Sequence, residues 1–173
     1  MEPIFDILKI TLPAITVLYA VFLIVRSFLN NEYQKKLIDI KLDNTKIVLP
    51  IRLQAYERVC LLLERISLNN LIIRVNDPSF SSLQLQQKLL QEIRNEYNHN
   101  LSQQVYMSEE AWGMVRKSIE DLVGIINSAG ELVDKNDRGI ELAKKIFENL
   151  LNRPKDPIQE ALSFVKSEIR SVF

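Results

Sequence analysis

Residues Ile10 to Val25, ITLPAITVLYAVFLIV, are sixteen consecutive positions without a charge, held between Lys9 and Arg26. A helix of that composition has no polar stripe to turn toward water, so it needs a protein core on every side or lipid on every side. A bilayer core takes about 20 helical residues at ~1.5 Å each. The run reaches that length when counted from Ile7 to Leu29, with Lys9 and Arg26 laying their methylenes along the core and placing their charges at the interface. Thr11 and Thr16 can each bond back to a carbonyl in the preceding turn, and Pro13 sits near one end, where a lost backbone bond does least damage. The competing readings are a buried helix of a soluble domain and a cleavable signal peptide. Against the first stands the absence of any amphipathic stripe. Against the second stand Glu2 and Asp6 ahead of the run and Arg26-Ser27-Phe28 after it, which offers no small-residue cleavage pattern. Residues 1–29 are therefore read as an uncleaved anchor, with the lipid bilayer as the partner of residues 7–29.

Orientation follows from the flanks. Lys9 with Glu2 and Asp6 precedes the run, whereas Arg26, Lys35, Lys36, Lys41 and Lys46 follow it. Lys and Arg set topology and acidic residues count for little, so the expected arrangement is N-terminus out and C-terminal domain in the cytoplasm. The single cysteine, Cys60, agrees with a reducing compartment.

Beyond the anchor the pattern is helical throughout. Across the juxtamembrane segment, residues 30–49, an apolar seam through Leu29, Tyr33, Leu37, Ile40, Asn44 and Ile47 recurs at spacings of three and four. Such a seam packs on a second copy or on the chain's own later helices. A polar Asn44 on it is the residue type that fixes register between paired helices. Pro50 predicts a break, after which Ile51 to Ile66 is apolar enough for the centre of a bundle, with Gln54, Glu57, Arg58, Glu64 and Arg65 as a polar strip. Leu71 to Val75 reads as a short buried strand or an extended loop, ended by Asp77-Pro78. Serines 79, 81 and 82 offer caps for a helix from about Leu83 to Tyr106. Ser108, with Glu109 and Glu110 in the first turn, opens a helix bearing Trp112, Val115, Ile119, Leu122 and Ile126, stopped at Gly130. A further helix starts near Asp137 and carries Ile140, Ala143, Ile146, Phe147, Leu150 and Leu151. Asp156 caps the last, with Pro157 as its first helical residue. The expected fold is all-α: an N-terminal transmembrane helix, then a cytoplasmic bundle of four to five helices over residues 50–173, large enough to bury its own core.

Composition limits the chemistry. Lys+Arg and Asp+Glu are 22 each, which removes the non-specific attraction behind most nucleic-acid binding, so no nucleic-acid partner is expected. One Cys and one His, His99, leave little for a metal site or a nucleophile relay, and four Gly leave little for a phosphate loop. No catalytic, metal or cofactor-binding residue is assigned, and no cofactor is expected. Glu92, Asn95 and Glu96 lie within two turns of His99, but a ligand set would need residues from other helices. Tyr56, Tyr97, Tyr106 and Trp112 read as packing aromatics, and Cys60 as an inert buried thiol. The one strip with a recognition character is charged. Glu57 and Glu64 share a helix face, as do Arg58 and Arg65, and Arg52 and Arg74 flank them, a candidate partner-docking strip. The competing view is a solvated face with ion pairs worth tenths of a kcal/mol each.

Three stretches are distinctive: LPIRLQAYERVCLLLERISLNNLIIRV from Leu49 to Val75, NHNLSQQVYMSEEAW from Asn98 to Trp112, and the closing EALSFVKSEIRSVF from Glu160 to Phe173. Together they resemble a family of uncharacterised, single-pass membrane-anchored proteins of Bacteroidota, a domain of unknown function. The resemblance implies a protein of the bacterial inner membrane and carries over no catalytic residue. From the residues themselves the expected work is non-catalytic, a scaffold or adaptor that holds a protein partner, or a homo-oligomer, at the membrane. The alternatives are a ligand-binding or enzymatic domain with a site built from scattered Glu, Arg and Tyr side chains, and a stator-like stalk.

Overall fold

The computed structural model describes residues 2–171, without the side chains of residues 2–11, 13–14, 40–41 and 43–44. Lys9, Pro13, Ile40, Asn44 and the terminal Val172 of the expected last face therefore lie outside the described side chains. The element order is α1 (Glu2–Ile66), α2 (Leu68–Val75), α3 (Ser82–Asn100), a 3-10 helix (Leu101–Tyr106), α4 (Glu109–Glu131), α5 (Gly139–Leu151) and α6 (Pro157–Ser171). Among the described residues there is no strand, only an isolated antiparallel bridge between Ser81 and Arg138. The fold is all-α.

Internal contacts divide the chain into two units, Met1–Leu49 and Pro50–Phe173. In the first, the described side chains along α1 are exposed apart from the half-buried Glu32 and Leu49, with Leu18 at 69 % and Ile24 at 67 %. A segment from Ile15 to Asp39 is long and apolar enough to cross a membrane, with a mean hydropathy of 1.3 and none of it buried. It overlaps the expected span from Ile15 to Leu29. The seam residues Tyr33, Leu37 and Ile47 are exposed as well.

In the second unit the apolar stripes turn inward. Leu62, Leu63 and Ile66 of α1, Leu71 of α2, Leu85 and Leu89 of α3, Leu122 and Ile126 of α4, Ile146 of α5 and Leu162 and Val165 of α6 form one core. α4 packs against α3, α5 and α6, and α3 against α2 and α5. At ~25 cal/mol per Å² of apolar surface removed from water, this shared interior holds the unit together.

Local chemistry sets the helix starts. Ser81 Oγ accepts from the backbone N–H of Gln84 while the Gln84 amide oxygen accepts from the N–H of Ser81, a reciprocal capping box. Ser108 Oγ accepts from Ala111 N–H at 3.0 Å, and Asp156 Oδ1 accepts from Ile158 N–H at 2.8 Å. All three caps lie among the residues the sequence singles out.

Five local expectations are corrected. Pro50 does not break the chain, because α1 continues to Ile66. A proline removes only one backbone donor, and Val48, Pro50 and Ile51 are exposed, so the loss falls on a solvent-facing part of the helix. Leu71 to Val75 is neither strand nor loop but the end of α2. Leu68, Leu71 and Ile72 are buried while Asn69, Asn70 and Ile73 face water, a helical period visible only when Leu68 is included. The helix expected to reach Tyr106 ends at Asn100, whose buried side-chain amide donates to the Glu96 carbonyl at 2.9 Å and competes with the helical ladder. Leu101 and Val105 are consequently exposed. Gly130 does not stop α4, since it lacks a positive φ and the helix runs on to Glu131. The absence of a side chain there serves a close approach, with the Gln86 carboxamide 2.7 Å from where a Cβ would lie. In α5 the inward face holds Leu142, Ala143 and Ile146, whereas Ile140 and Leu151 are exposed. The helix starts at Gly139, whose N–H donates to the Phe80 carbonyl at 2.9 Å, and that anchor sets its rotation.

Candidate functional site

The charged strip lies on α1 where its buried side, Tyr56, Val59, Leu63 and Ile66, enters the core. Seven residues return a helix to nearly the same face, with a drift of about 20° per heptad. Glu57, Arg58 and Arg65 line an open groove of about 700 Å³ with Gln54 and Leu61 of α1 and Asn95, Glu96 and His99 of α3. Glu64 turns instead toward α6, 3.8 Å from Lys166 Nζ. Arg52 lies away from the groove and donates to the Tyr106 carbonyl at 3.2 Å.

At one end of the groove the charges are satisfied within the protein. The Glu96 carboxylate takes Arg65 at 2.6 Å and Arg74 at 3.6 Å, and Arg74 also reaches Glu92 at 3.7 Å. Glu92 in turn holds Lys88 at 3.1 Å. This chain links α1, α2 and α3, and it gives Arg65 and Arg74 a structural task. Glu57 and Arg58 have no ion pair or hydrogen-bond partner among the described residues. The strip the sequence marks as one feature is thus divided: Arg65 and Arg74 join a cross-helix clamp, Glu64 and Arg52 turn to Lys166 and Tyr106, and Glu57 and Arg58 are left for solvent or a partner.

A second polar cluster joins distant parts of the chain. Tyr56 Oη donates to Glu168 Oε1 at 2.5 Å, and Ser108 Oγ donates to Glu168 Oε2 at 2.9 Å. One carboxylate therefore ties α1, α6 and the cap of α4. Burial pushes the Tyr56 hydroxyl above its ordinary pKa, the hydrogen bond to Glu168 adds to the rise, and Arg52 opposes it. Glu168 carries no sequence signal, since its partners lie 112 and 60 positions away. Glu92 and Glu96 had one, being four apart on the same face of α3.

The aromatics divide too. Tyr97 and Trp112 stack with centroids 5.9 Å apart and share the wall of a small groove with Gln104 and Arg116, whereas Tyr56 is buried in the core and Tyr106 is exposed. Cys60 is half-buried, and desolvation pushes its thiol up, with Glu64 adding to the rise and Lys166 opposing it. His99 stands on the groove wall beside Glu96 and Asn95. Among the described residues no group of three or more His, Cys, Asp and Glu is placed to hold a metal ion.

These features define an all-α protein with one membrane-crossing candidate in α1 and a helical bundle bearing a polar groove. The chain belongs to the family of unknown function DUF7935, whose model matches residues 2–172. No curated protein and no solved structure matches it.

Proposed function

We propose that this protein is a non-catalytic scaffold or adaptor of the bacterial inner membrane, in the Bacteroidota manner suggested by its sequence, anchored by one helix with its domain in the cytoplasm. The observation that carries the reading is the Ile15–Asp39 segment, membrane-crossing in length and wholly unburied. Burying a Leu, Ile, Val or Phe side chain yields roughly 1.5–3 kcal/mol. Exposed Leu18, Phe22, Leu23 and Ile24 in one stretch therefore make a strong demand for a non-aqueous surround, and lipid supplies it. Arg26, Lys35, Lys36, Lys41 and Lys46 after the apolar core favour a cytoplasmic C-terminal domain. The unpaired Glu57 and Arg58 on an open groove supply a docking place, with Arg65 and Arg74 held in the clamp behind them. Confinement to a membrane raises the effective concentration of partners, so modest contacts suffice.

Fractionation of cells expressing the full chain tests the anchor. The protein is expected in the membrane pellet and to stay there through alkaline carbonate, while release into the supernatant overturns the reading. A reporter fused after Phe173 should be active in the cytoplasm, and activity only outside it overturns the orientation.

A stalk-like role is the second reading, favoured by α1 passing unbroken through residues 30–49. Spin labels at Asn30 and Leu49 should then lie about 28 Å apart between backbone positions, at ~1.5 Å per residue, and a clearly shorter distance defeats it.

A further inference from the structure

Within Pro50–Phe173, α1 has two faces. One carries Tyr56, Val59, Leu63 and Ile66 into the core. The other presents Ile51, Gln54, Arg58 and Leu61 at spacings of three, four and three, with Ile51 42 % and Leu61 53 % exposed. Ile51 and Leu61 stand ten positions apart at the two ends of this stripe, in register with a helix-pairing seam, with polar Gln54 and charged Arg58 at the two seam positions between them. In the sequence the same alternation of threes and fours runs back through Ile47, Asn44, Ile40, Leu37 and Tyr33. From Tyr33 to Leu61 that makes four heptads, and Tyr33, Leu37 and Ile47 are exposed in their own unit.

The charges identify the occupant. Glu64, Arg65, Arg74, Glu92 and Glu96 all have partners, but Glu57 and Arg58 have none among the described residues. They are adjacent and opposite in sign, Arg58 on the exposed stripe and Glu57 on its rim. In two parallel helices related by a two-fold axis, the position before a seam residue flanks that seam residue on the other helix, so whatever one copy offers the other returns. A surface carrying one unpaired Glu beside one unpaired Arg is complementary to itself.

We infer that the occupant of this groove is a second copy of the chain: two α1 helices pair in parallel along Ile51, Gln54, Arg58 and Leu61, with Glu57 of each copy against Arg58 of the other. The inference deepens the docking reading, and its parallel sense rests on both anchors crossing one bilayer in the same direction.

The test uses the full chain in native membranes and in mild detergent, with Cys60→Ala to remove the only native thiol. Leu61→Cys in that background should form a covalent dimer under mild oxidation. Leu151→Cys, 82 % exposed on α5, should form little or none. Glu57→Arg or Arg58→Glu alone should cut the cross-linked fraction several-fold by placing like charges together, and the double exchange should restore it. Circular dichroism melts of each variant establish that the domain is folded. Self-pairing is overturned if folded Leu61→Cys links no better than Leu151→Cys, if it links only to a protein of different mass, or if the double exchange is no better than the single ones. Carbonate extraction of the same preparations reads the anchor separately. Dimers that wash off the membrane defeat the anchor and keep the pairing, and integral monomers do the reverse.

Discussion

The Ile15–Asp39 stretch and the Pro50–Phe173 unit are both rich in Leu, Ile and Val, yet they treat those residues oppositely. Leu18 is 69 % exposed where Leu63 is wholly buried, and Ile24 is 67 % exposed where Ile126 is wholly buried. The difference lies in arrangement. In α3 to α6 the apolar residues fall at threes and fours and leave a polar face, so neighbouring helices can cover them. From Ile15 to Val25 they occupy every side of the helix, and no small set of neighbours covers all of it. Hydrophobicity states that a residue should leave water, and its periodicity states what it can leave water for.

The sharpest break of that contrast is a pair of truncations. Leu63→Ala or Leu122→Ala removes a fully buried side chain and should cost the domain about 2–5 kcal/mol in denaturant melts of the detergent-solubilised chain. Leu18→Ala should leave the same transition unmoved. An equal loss from both would show that the apolar stretch belongs to the folded core and would end the comparison.

Next in size is the Glu168 junction. Tyr56→Phe removes a donor from the Glu168 carboxylate and should cost about 1–2 kcal/mol near neutral pH. It also has a pH signature. The fold raises the Tyr56 pKa, so the folded state holds that proton more tightly than the unfolded chain. The resulting stabilisation is fully present below about pH 10 and is lost as pH climbs through the raised value. Melts between pH 9 and the alkaline limit should show a steeper decline for the natural chain than for Tyr56→Phe. Parallel declines would mean the hydroxyl is not held by the fold.

The smallest effects concern glycine. A Cβ at Gly113 or Gly124 meets nothing within 4 Å, so alanine at either should stabilise α4 by about 0.5–1 kcal/mol. At Gly139 a Cβ would lie 3.2 Å from the Phe80 carbonyl and 3.3 Å from Leu85 Cδ2. Gly139→Ala should therefore strain the bond by which Gly139 holds Phe80 and cost about 1 kcal/mol. A thermal melt series in which all three glycines respond alike would refute the distinction between solvated and close-packed positions.

Much of the architecture is written in short-range signals. Ser81, Ser108 and Asp156 mark helix starts because a cap is a bond between residues two or three apart. Trp112, Val115, Leu122 and Ile126 mark a buried face because period alone selects it. The departures from expectation are equally local. The period of α2 shows only with Leu68 included, and at Pro50 an exposed stretch of helix continues through a proline. At the candidate site, the sequence placed Glu57, Arg58 and Arg65 along one helix. That Arg65 and Arg74 converge on Glu96 while Glu57 and Arg58 stay unpaired depends on where α2 and α3 lie.

What the sequence by itself determined is the all-α character, the helix caps, the apolar stretch after Lys9 and the composition that leaves one Cys and one His. All of these are properties of neighbouring residues or of simple counts. Only the tertiary structure decided that Glu168 joins Tyr56 to Ser108, that Glu96 gathers two arginines, and that Ile51 and Leu61 stay in the open. Those outcomes depend on the packing of helices whose residues are tens to more than a hundred positions apart, and no local periodicity encodes which charged side chain will meet which.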